Sequence, residues 1–136
     1  MNTDISQNEV IPVKRVVMIV DDDKEFLEEL RETLELSGYE LAAVNDPSEV
    51  LEAVKTVKPA VILLDLKMPK KSGFEIADEL RRLAEYGNIP IIAMSAFYKD
   101  EYAMLIRMCG IKRCLTKPFN PLDVIAEIEK ALGKSD

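Results

Sequence analysis

Side chains able to do chemistry stand directly after apolar runs at four places in this chain. The set comprises three carboxylates, one hydroxyl and one ammonium, at Asp21, Asp22, Asp65, Ser95 and Lys117. Five apolar residues, 60–64, precede Asp65. A run of this kind, with Pro59 before it and Pro69 after it, is typical of a strand buried on both faces. We therefore expect Asp65 at the carboxyl end of a central strand, where open α/β sheets bind ligands.

The three carboxylates predict chemistry that involves a metal ion and a phosphoryl group. Ionised carboxylates in one cleft repel one another, which raises the pKa of at least one and favours a divalent cation. Hard oxygen ligands, few in number and leaving room for water and a phosphoryl group, suit Mg²⁺. Lys117 adds a positive charge for phosphate, and Ser95 adds a hydroxyl. A carboxylate between a metal ion and a lysine can accept a phosphoryl group as an acyl phosphate.

The same residues have a simpler interpretation. Aspartate is common in turns and at helix N-termini, so Asp65 could cap a turn and Asp21 to Asp23 could be capping or solvated charges. We favour the capping interpretation for Asp23, because a helical pattern begins directly after it. For the whole set, this interpretation would need a coincidence at four separate strand ends.

Composition and charge limit the fold and the class of function. The chain has 136 residues, 48% of them hydrophobic, which suits one domain with one core. Its net charge of -7 argues against direct nucleic-acid binding, and no apolar run is long enough for membrane insertion. Histidine is absent, which excludes a histidine triad and a phosphohistidine on this chain. We expect a cytoplasmic protein with Cys109 and Cys114 as buried thiols.

Apolar periodicity predicts five strands that alternate with five helices. The predicted strands are residues 15–20, 40–44, 60–65, 89–94 and 113–116, and the predicted helices begin at about 24, 46, 74, 99 and 121. The third helix is expected to end at about Tyr86, before Gly87. Residues 1–13 are expected to form a mobile leader, 14–133 the domain and 134–136 a tail. The alternation predicts a doubly wound parallel sheet with helices on both faces, so the strand ends meet at one edge.

With these motifs in place, the chain resembles a response-regulator receiver domain of the two-component signalling family, of the stand-alone chemotaxis-regulator type. The resemblance covers about Lys14 to Leu132 and rests on Val20-Asp21-Asp22-Asp23, Leu64-Asp65-Leu66-Lys67-Met68-Pro69, Gly73, Met94-Ser95-Ala96 and Thr116-Lys117-Pro118-Phe119. It implies a flavodoxin-like fold of the receiver type, with five parallel strands in the order 2-1-3-4-5 and five helices. It also suggests a cis peptide bond between Lys117 and Pro118.

The resemblance implies a role for each residue of the site. Asp65 would accept a phosphoryl group from the phosphohistidine of a histidine kinase or of a phosphotransfer protein. Mg²⁺ would be held by Asp22, Asp65 and the backbone carbonyl of Lys67, with Asp21 acting mainly through water. Lys117 and Ser95 would contact the phosphoryl group. Enzymatic activity would be limited to weak self-phosphorylation and self-dephosphorylation.

The family's output surface usually consists of the fourth helix, fifth strand and fifth helix, which implies a downstream protein partner. Here the switch and output residues would be Ser95, Ala96, Tyr98, Tyr102, Arg107, Lys112 and Cys114. For the tyrosines and the two cations, ordinary surface and partial core is an equally good interpretation. Cys114 departs from the pattern, since the family usually has tyrosine or phenylalanine three residues before the lysine. The phosphorylated form could be a monomer or a dimer.

Three other functions fit the sequence less well. A phosphohydrolase with an aspartyl phosphate often carries Asp-x-Asp, whereas Lys67 stands two residues after Asp65. A flavodoxin-like cofactor binder would need a phosphate loop after the first strand, where Asp21 and Asp22 would repel phosphate. A protein-binding domain without phosphorylation is disfavoured because Asp22, Asp65 and Lys117 are all intact.

Overall fold

The computed structural model describes residues 15–96 and 100–133, and of residues 100–102 only the backbone. The predicted leader, residues 1–13, and the predicted tail, residues 134–136, lie outside the described residues. Tyr98 also lies outside them.

In the described part of the chain, five strands alternate with five α-helices, as predicted. The strands are β1 (Val16–Val20), β2 (Glu40–Val44), β3 (Val61–Asp65), β4 (Ile91–Ser95) and β5 (Arg113–Thr116). The helices are α1 (Lys24–Leu36), α2 (Val50–Val57), α3 (Gly73–Arg81), α4 (Asp100–Met108) and α5 (Pro121–Ala131). A short 3₁₀ helix, Pro47–Glu49, leads into α2. None of the described helices combines the length and the apolar character that crossing a membrane requires.

The five strands form one parallel sheet in the order β2-β1-β3-β4-β5. Strands β3 and β4 are buried along their whole length, as expected for the centre of such a sheet. In the register of the sheet, Asp65 pairs with Met94 and Ser95 pairs with Thr116. The predicted fold and strand order are therefore confirmed, and the strand ends carry their polar residues to one edge.

Two apolar layers cover the two faces of the sheet. Alternate side chains of β1 and β3 point into opposite layers, because successive residues of a strand face opposite sides. One layer packs the sheet against α2, α3 and Ile106 of α4, and its strand members include Met18, Val20, Ile62 and Leu64. The other packs the sheet against α1 and α5, and its strand members include Val17, Ile19, Val61, Leu63 and Ile92. The helices thus cover both faces of the sheet and hold the strand ends in position.

Three details differ from the sequence-based expectation. Helix α3 ends at Arg81 rather than at about Tyr86, because residues 82–89 fold into turns whose carbonyls at Gly87 and Ile89 accept hydrogen bonds from the Arg81 guanidinium. Strand β4 runs two residues later at its start and includes the serine at its end. The two cysteines are free thiols, as expected, but they are half-buried rather than buried.

Candidate functional site

Three carboxylates meet at the carboxyl edge of the sheet. Asp65 is the last residue of β3, and Asp21 and Asp22 directly follow β1. One carboxylate oxygen from each lies within 4.8 Å of the others. Asp21 and Asp65 are only 1% and 6% exposed, whereas Asp22 is exposed. The cluster is therefore a buried pair of carboxylates with a third at its opening to solvent.

Backbone hydrogen bonds orient the two buried carboxylates. The Asp21 N–H donates to the Val44 carbonyl at 3.1 Å, which ties the end of β1 to β2. Oδ1 of Asp21 accepts from the Asp23 N–H at 2.9 Å, and Oδ1 of Asp65 accepts from the Lys67 N–H at 3.1 Å. In each case Oδ2 is the oxygen that lies within 4.0 Å of the Lys117 ammonium. Asp23 itself is the N-cap of α1, as predicted.

Lys117 brings a positive charge to this cluster from the segment after β5. Its Nζ lies 2.6 Å from Oδ2 of Asp21 and 4.0 Å from Oδ2 of Asp65. The Lys117 N–H donates to the Ser95 carbonyl at 2.7 Å, and the peptide bond to Pro118 is cis, as the resemblance suggested. One ammonium therefore lies between two buried carboxylates, which partly offsets their repulsion.

The electrostatics of the cluster act most strongly on Asp65. Burial is the largest cause that raises the pKa of Asp65, from 3.8 to about 6, and the negative charges of Asp21 and Asp22 raise it further. The ammonium of Lys117 and the N–H of Lys67 act in the opposite direction on this pKa. Asp65 is thus ionised at neutral pH, but at a free-energy cost that a bound cation would lower.

The donor set fits a hard divalent cation. Asp21, Asp22 and Asp65 each offer a carboxylate oxygen within one small space, so these residues could hold a metal ion. Carboxylate oxygens are the ligands that Mg²⁺ prefers, and it commonly binds through one or two carboxylates while it keeps several waters. The exposure of Asp22 leaves the opening that such waters and a phosphoryl group need.

Gly73 allows helix α3 to start directly against the end of β3. Its N–H donates to the Leu66 carbonyl at 3.2 Å, and a Cβ built at this position would lie 2.9 Å from the Leu66 Cα and would overlap the Asp65 carbonyl oxygen. The helix was expected to begin at about residue 74, and Gly73 is its first residue, after the N-cap Ser72. The loop before it is also fixed by an ion pair between Lys71 and Glu79, 2.6 Å apart.

The remaining predicted residues divide into two groups. Ser95 is buried at the end of β4, on the same edge as the carboxylates, and Ala96 follows it and is exposed. Cys114 lies on β5, paired in register with Ala93, and burial raises the pKa of its thiol. Tyr102 lies in α4, but its side chain is outside the described part of the chain. Ser95 therefore lies at the carboxyl edge with the carboxylates. Cys114 lies within β5, two residues before the end of that strand.

Sequence reasoning missed Phe26 as a member of the site. The Lys117 Nζ lies 4.4 Å from the centre of the Phe26 ring, and Phe119 contacts that ring edge-on with the centroids 5.6 Å apart. A cation over an aromatic face is attracted by the ring. The signal was available, because Phe26 is in the first turn of the helix that follows Asp21 and Asp22 and so must lie at the same edge.

Comparisons with known proteins agree with this geometry. The family profile described as the response regulator receiver domain matches residues 17–129. The polar-differentiation response regulator DivK of Brucella anthropi is 32% identical over 117 residues, which cover 86% of this chain and 95% of that protein. The alkaline phosphatase synthesis transcriptional regulatory protein PhoP of Bacillus subtilis is 31% identical over 124 residues, which cover 91% of this chain and 51% of that protein. The chain spans about half the length of several curated relatives that it matches.

A solved structure gives the same result for the fold. The chemotaxis response regulator CheY4 of Vibrio cholerae is similar over 88% of this chain and 100% of that chain, with a TM-score of 0.83 and 28% sequence identity. The two folds are therefore alike over most of this chain. Together, the profile, the sequence relatives and the shared architecture show that this chain belongs to the response regulator receiver domain family of two-component signalling.

Proposed function

We propose that this chain is a phosphorylation-switched signalling module in which Asp65 accepts a phosphoryl group from the phosphohistidine of a histidine kinase or a phosphotransfer protein. The observation that carries this proposal is the position of Asp65, a buried carboxylate 4.0 Å from the Lys117 ammonium and beside two further carboxylates. Burial and the neighbouring carboxylates raise the pKa of Asp65, and the same cluster could hold the metal ion that this reaction needs.

In the proposed reaction, Oδ2 of Asp65 attacks phosphorus and the phosphorus–nitrogen bond of the phosphohistidine breaks. The electron pair of that bond stays on the imidazole nitrogen, which takes up a proton. Mg²⁺, held by Asp22, Asp65 and the Lys67 carbonyl with Asp21 mainly through water, would neutralise charge on the phosphoryl oxygens. Lys117 would bind one phosphoryl oxygen as an ammonium, and Ser95 would donate its hydroxyl to another.

The proposal is tested with acetyl phosphate as a small phosphodonor. The protein is incubated with Mg²⁺ and acetyl phosphate, and its intact mass is measured in the wild type, in Asp65→Asn and in Asp46→Asn. Asp46 is a matched control because it is a half-buried N-cap outside the carboxylate cluster, where asparagine caps equally well. We expect one added phosphoryl group in the wild type and in Asp46→Asn, and none in Asp65→Asn. Equal uptake by all three proteins would refute the assignment.

The metal part of the proposal is tested by a second pair of variants. Asp22→Asn should weaken Mg²⁺ binding at least about tenfold, because it removes one charged ligand from a small donor set. Asp23→Asn should leave Mg²⁺ binding unchanged, since asparagine keeps the N-cap of α1 and Asp23 is outside the cluster. Equal losses in the two variants would show that Asp22 is not the added ligand.

We further propose that phosphorylation changes the surface formed by α4, β5 and α5 and so alters binding of a downstream protein. Exposed apolar side chains support this part, since Met104, Leu105 and Met108 on α4 and Leu122 on α5 are 45–75% exposed. The net charge of -7 disfavours direct contact with nucleic acid. Self-phosphorylation and self-dephosphorylation would be the only activities of the chain itself. The same proposal places the protein in the cytoplasm, where free thiols stay reduced.

A further inference from the structure

We propose that a basic groove at the amino-terminal edge of the sheet binds a phosphorylated small molecule of about the size of a nucleotide. The groove has a volume of about 460 Å³ and lies where β4 and β5 begin and where α3 and α5 end. It is thus on the sheet edge opposite Asp65, and the proposal does not depend on phosphorylation. Cavities that hold small ligands in proteins span about 300–1,000 Å³.

Four cationic side chains line the basic groove, although the chain as a whole carries a net charge of -7. They are Arg81, Lys112, Arg113 and Lys130. Glu127 is their carboxylate neighbour, 3.3 Å from Arg113 and 3.6 Å from Lys130. Within residues 15–96 and 103–133, no side chain pairs with Lys112. The lining itself holds these four cations and no carboxylate, so the groove carries an excess of positive charge.

Arg81 makes the wall of the groove suitable for an anion. Its guanidinium donates hydrogen bonds to the carbonyls of Gly87, Ile89 and Gly110, at 3.3 Å for Ile89 and 2.9 Å for Gly110. These oxygens would otherwise present partial negative charge to a ligand. A Cβ at Gly110 would lie 2.5 Å from the Arg81 Nε, so the absence of a side chain there allows the contact. The wall is therefore already assembled before any ligand binds.

The shape and chemistry of the lining indicate the class of ligand. Ile89, Pro90 and Ala131 add apolar surface to the cationic lining of the groove. A free inorganic anion would contact the cations alone, whereas a phosphorylated molecule with a flat apolar part would contact both kinds of surface. The guanidinium of Arg113 can bind a phosphate through two parallel hydrogen bonds, and Lys112 can act as a point charge. A nucleotide combines these two features at a size that the groove can hold.

The proposal is tested by titration of the full chain with ATP, with adenosine and with inorganic phosphate, all in EDTA. Without divalent metal, the carboxylate cluster repels phosphate and cannot give a false signal. Backbone amide chemical shifts of the wild type map the site without any substitution. We expect shifts at Gly87, Ile89 and Gly110 with ATP and smaller ones with either component. Shifts confined to other regions, or none at all, would overturn the proposal.

Charge-reversal variants provide the second arm. Lys112→Glu/Lys130→Glu should weaken ATP binding at least about tenfold, since two attractive charges become repulsive. Lys24→Glu/Lys70→Glu makes the same change in net charge at the opposite, carboxyl edge of the sheet, and should leave affinity within about twofold of the wild type. Equal weakening in both double variants would mean that only the overall charge matters. Phosphate that binds as tightly as ATP would disprove the nucleotide-sized ligand.

Discussion

The ammonium of Lys117 lies 2.6 Å from Oδ2 of Asp21, closer than its 4.0 Å separation from Oδ2 of Asp65. In this state the lysine mainly neutralises Asp21, and Asp65 receives less of its charge. A phosphoryl group on Asp65 would carry more negative charge than the carboxylate it replaces, and Lys117 is near enough to move toward it. We therefore expect the Lys117 ammonium to move from Asp21 toward the phosphoryl group when Asp65 is phosphorylated.

The raised pKa of Asp65 predicts that removing its charge stabilises the metal-free protein. The pKa is about 6 in the folded protein and 3.8 ordinarily, so the folded state binds the proton more tightly. Stability contributed by this group is therefore present below pH 4 and is lost as the pH rises from about 4 to 6. We expect Asp65→Asn to raise the free energy of unfolding by about 1–2 kcal/mol at about pH 7.5, a value reduced for solvent screening.

This effect is measured by urea denaturation in EDTA at about pH 7.5 and about pH 4. The gain should shrink at the lower pH, because wild-type Asp65 is then protonated in the folded state. Asp46→Asn serves as the control: hydrogen bonds from Ser48 lower the pKa of that carboxyl, so removing its charge should give no gain in stability at about pH 7.5. A gain in Asp65→Asn that is the same at both pH values would contradict the electrostatic explanation.

The Phe26 ring is expected to hold Lys117 in place. The ring centre lies 4.4 Å from the ammonium, and such contacts contribute about 0.5–2 kcal/mol. A double-mutant cycle of Phe26→Leu with Lys117→Met, read by urea denaturation, should give a coupling energy in that range. Phe74→Leu with Lys117→Met is the control cycle, because Phe74 packs in the other core layer, and it should give no coupling. Equal coupling in the two cycles would exclude a specific contact.

Substitution of Gly73 is expected to damage both the fold and the site. In Gly73→Ala the new Cβ would meet backbone atoms of Asp65 and Leu66, which cannot move aside easily. We expect a loss of about 1–3 kcal/mol in stability and slower phosphorylation by acetyl phosphate. Gly38→Ala is the comparison, since its φ of 89° is strained for alanine but nothing lies within 4 Å. That variant should lose stability and keep the wild-type phosphorylation rate.

Cys114 is expected to leave space that an aromatic side chain would fill. A groove of about 430 Å³ between α4 and β5 includes Cys114 in its lining. If Ser95 moves toward the phosphoryl group, Cys114→Tyr should stabilise the active state and tighten beryllofluoride binding by about threefold to tenfold. Cys114→Ala should bind it as the wild type does. Loss of beryllofluoride binding in Cys114→Ala would reveal a specific role for the thiol.

Much of the site was predictable because parallel strands end at one edge. The apolar runs before Asp65 and before Asp21 each predicted a buried strand, and the alternation of strands with helices predicted a parallel sheet. The grouping of Ser95 and Lys117 with these carboxylates follows from that topology alone. The N-cap role of Asp23 was likewise local, because a side chain that bonds to N–H groups two and three residues later needs no distant contact.

Features that depend on distant side-chain contacts were not predictable. The early end of α3 depends on Arg81, whose hydrogen bonds reach as far as Gly110. The Lys117 Nζ lies 2.6 Å from Asp21 and 4.0 Å from Asp65, and this difference depends on side-chain rotamers and strand register rather than on apolar periodicity. The pKa of Asp65 likewise depends on burial and on charges from other strands.

Trapping the acyl phosphate with borohydride shows which residue of the chain is the phosphoacceptor. The protein is phosphorylated with acetyl phosphate and Mg²⁺, reduced, digested and sequenced by mass spectrometry. Reduction converts the phosphorylated aspartate to homoserine and leaves other aspartates intact. We predict homoserine at position 65 only, and none when EDTA replaces Mg²⁺. Homoserine at Asp21 or Asp22, or its absence from position 65, would contradict the proposed function.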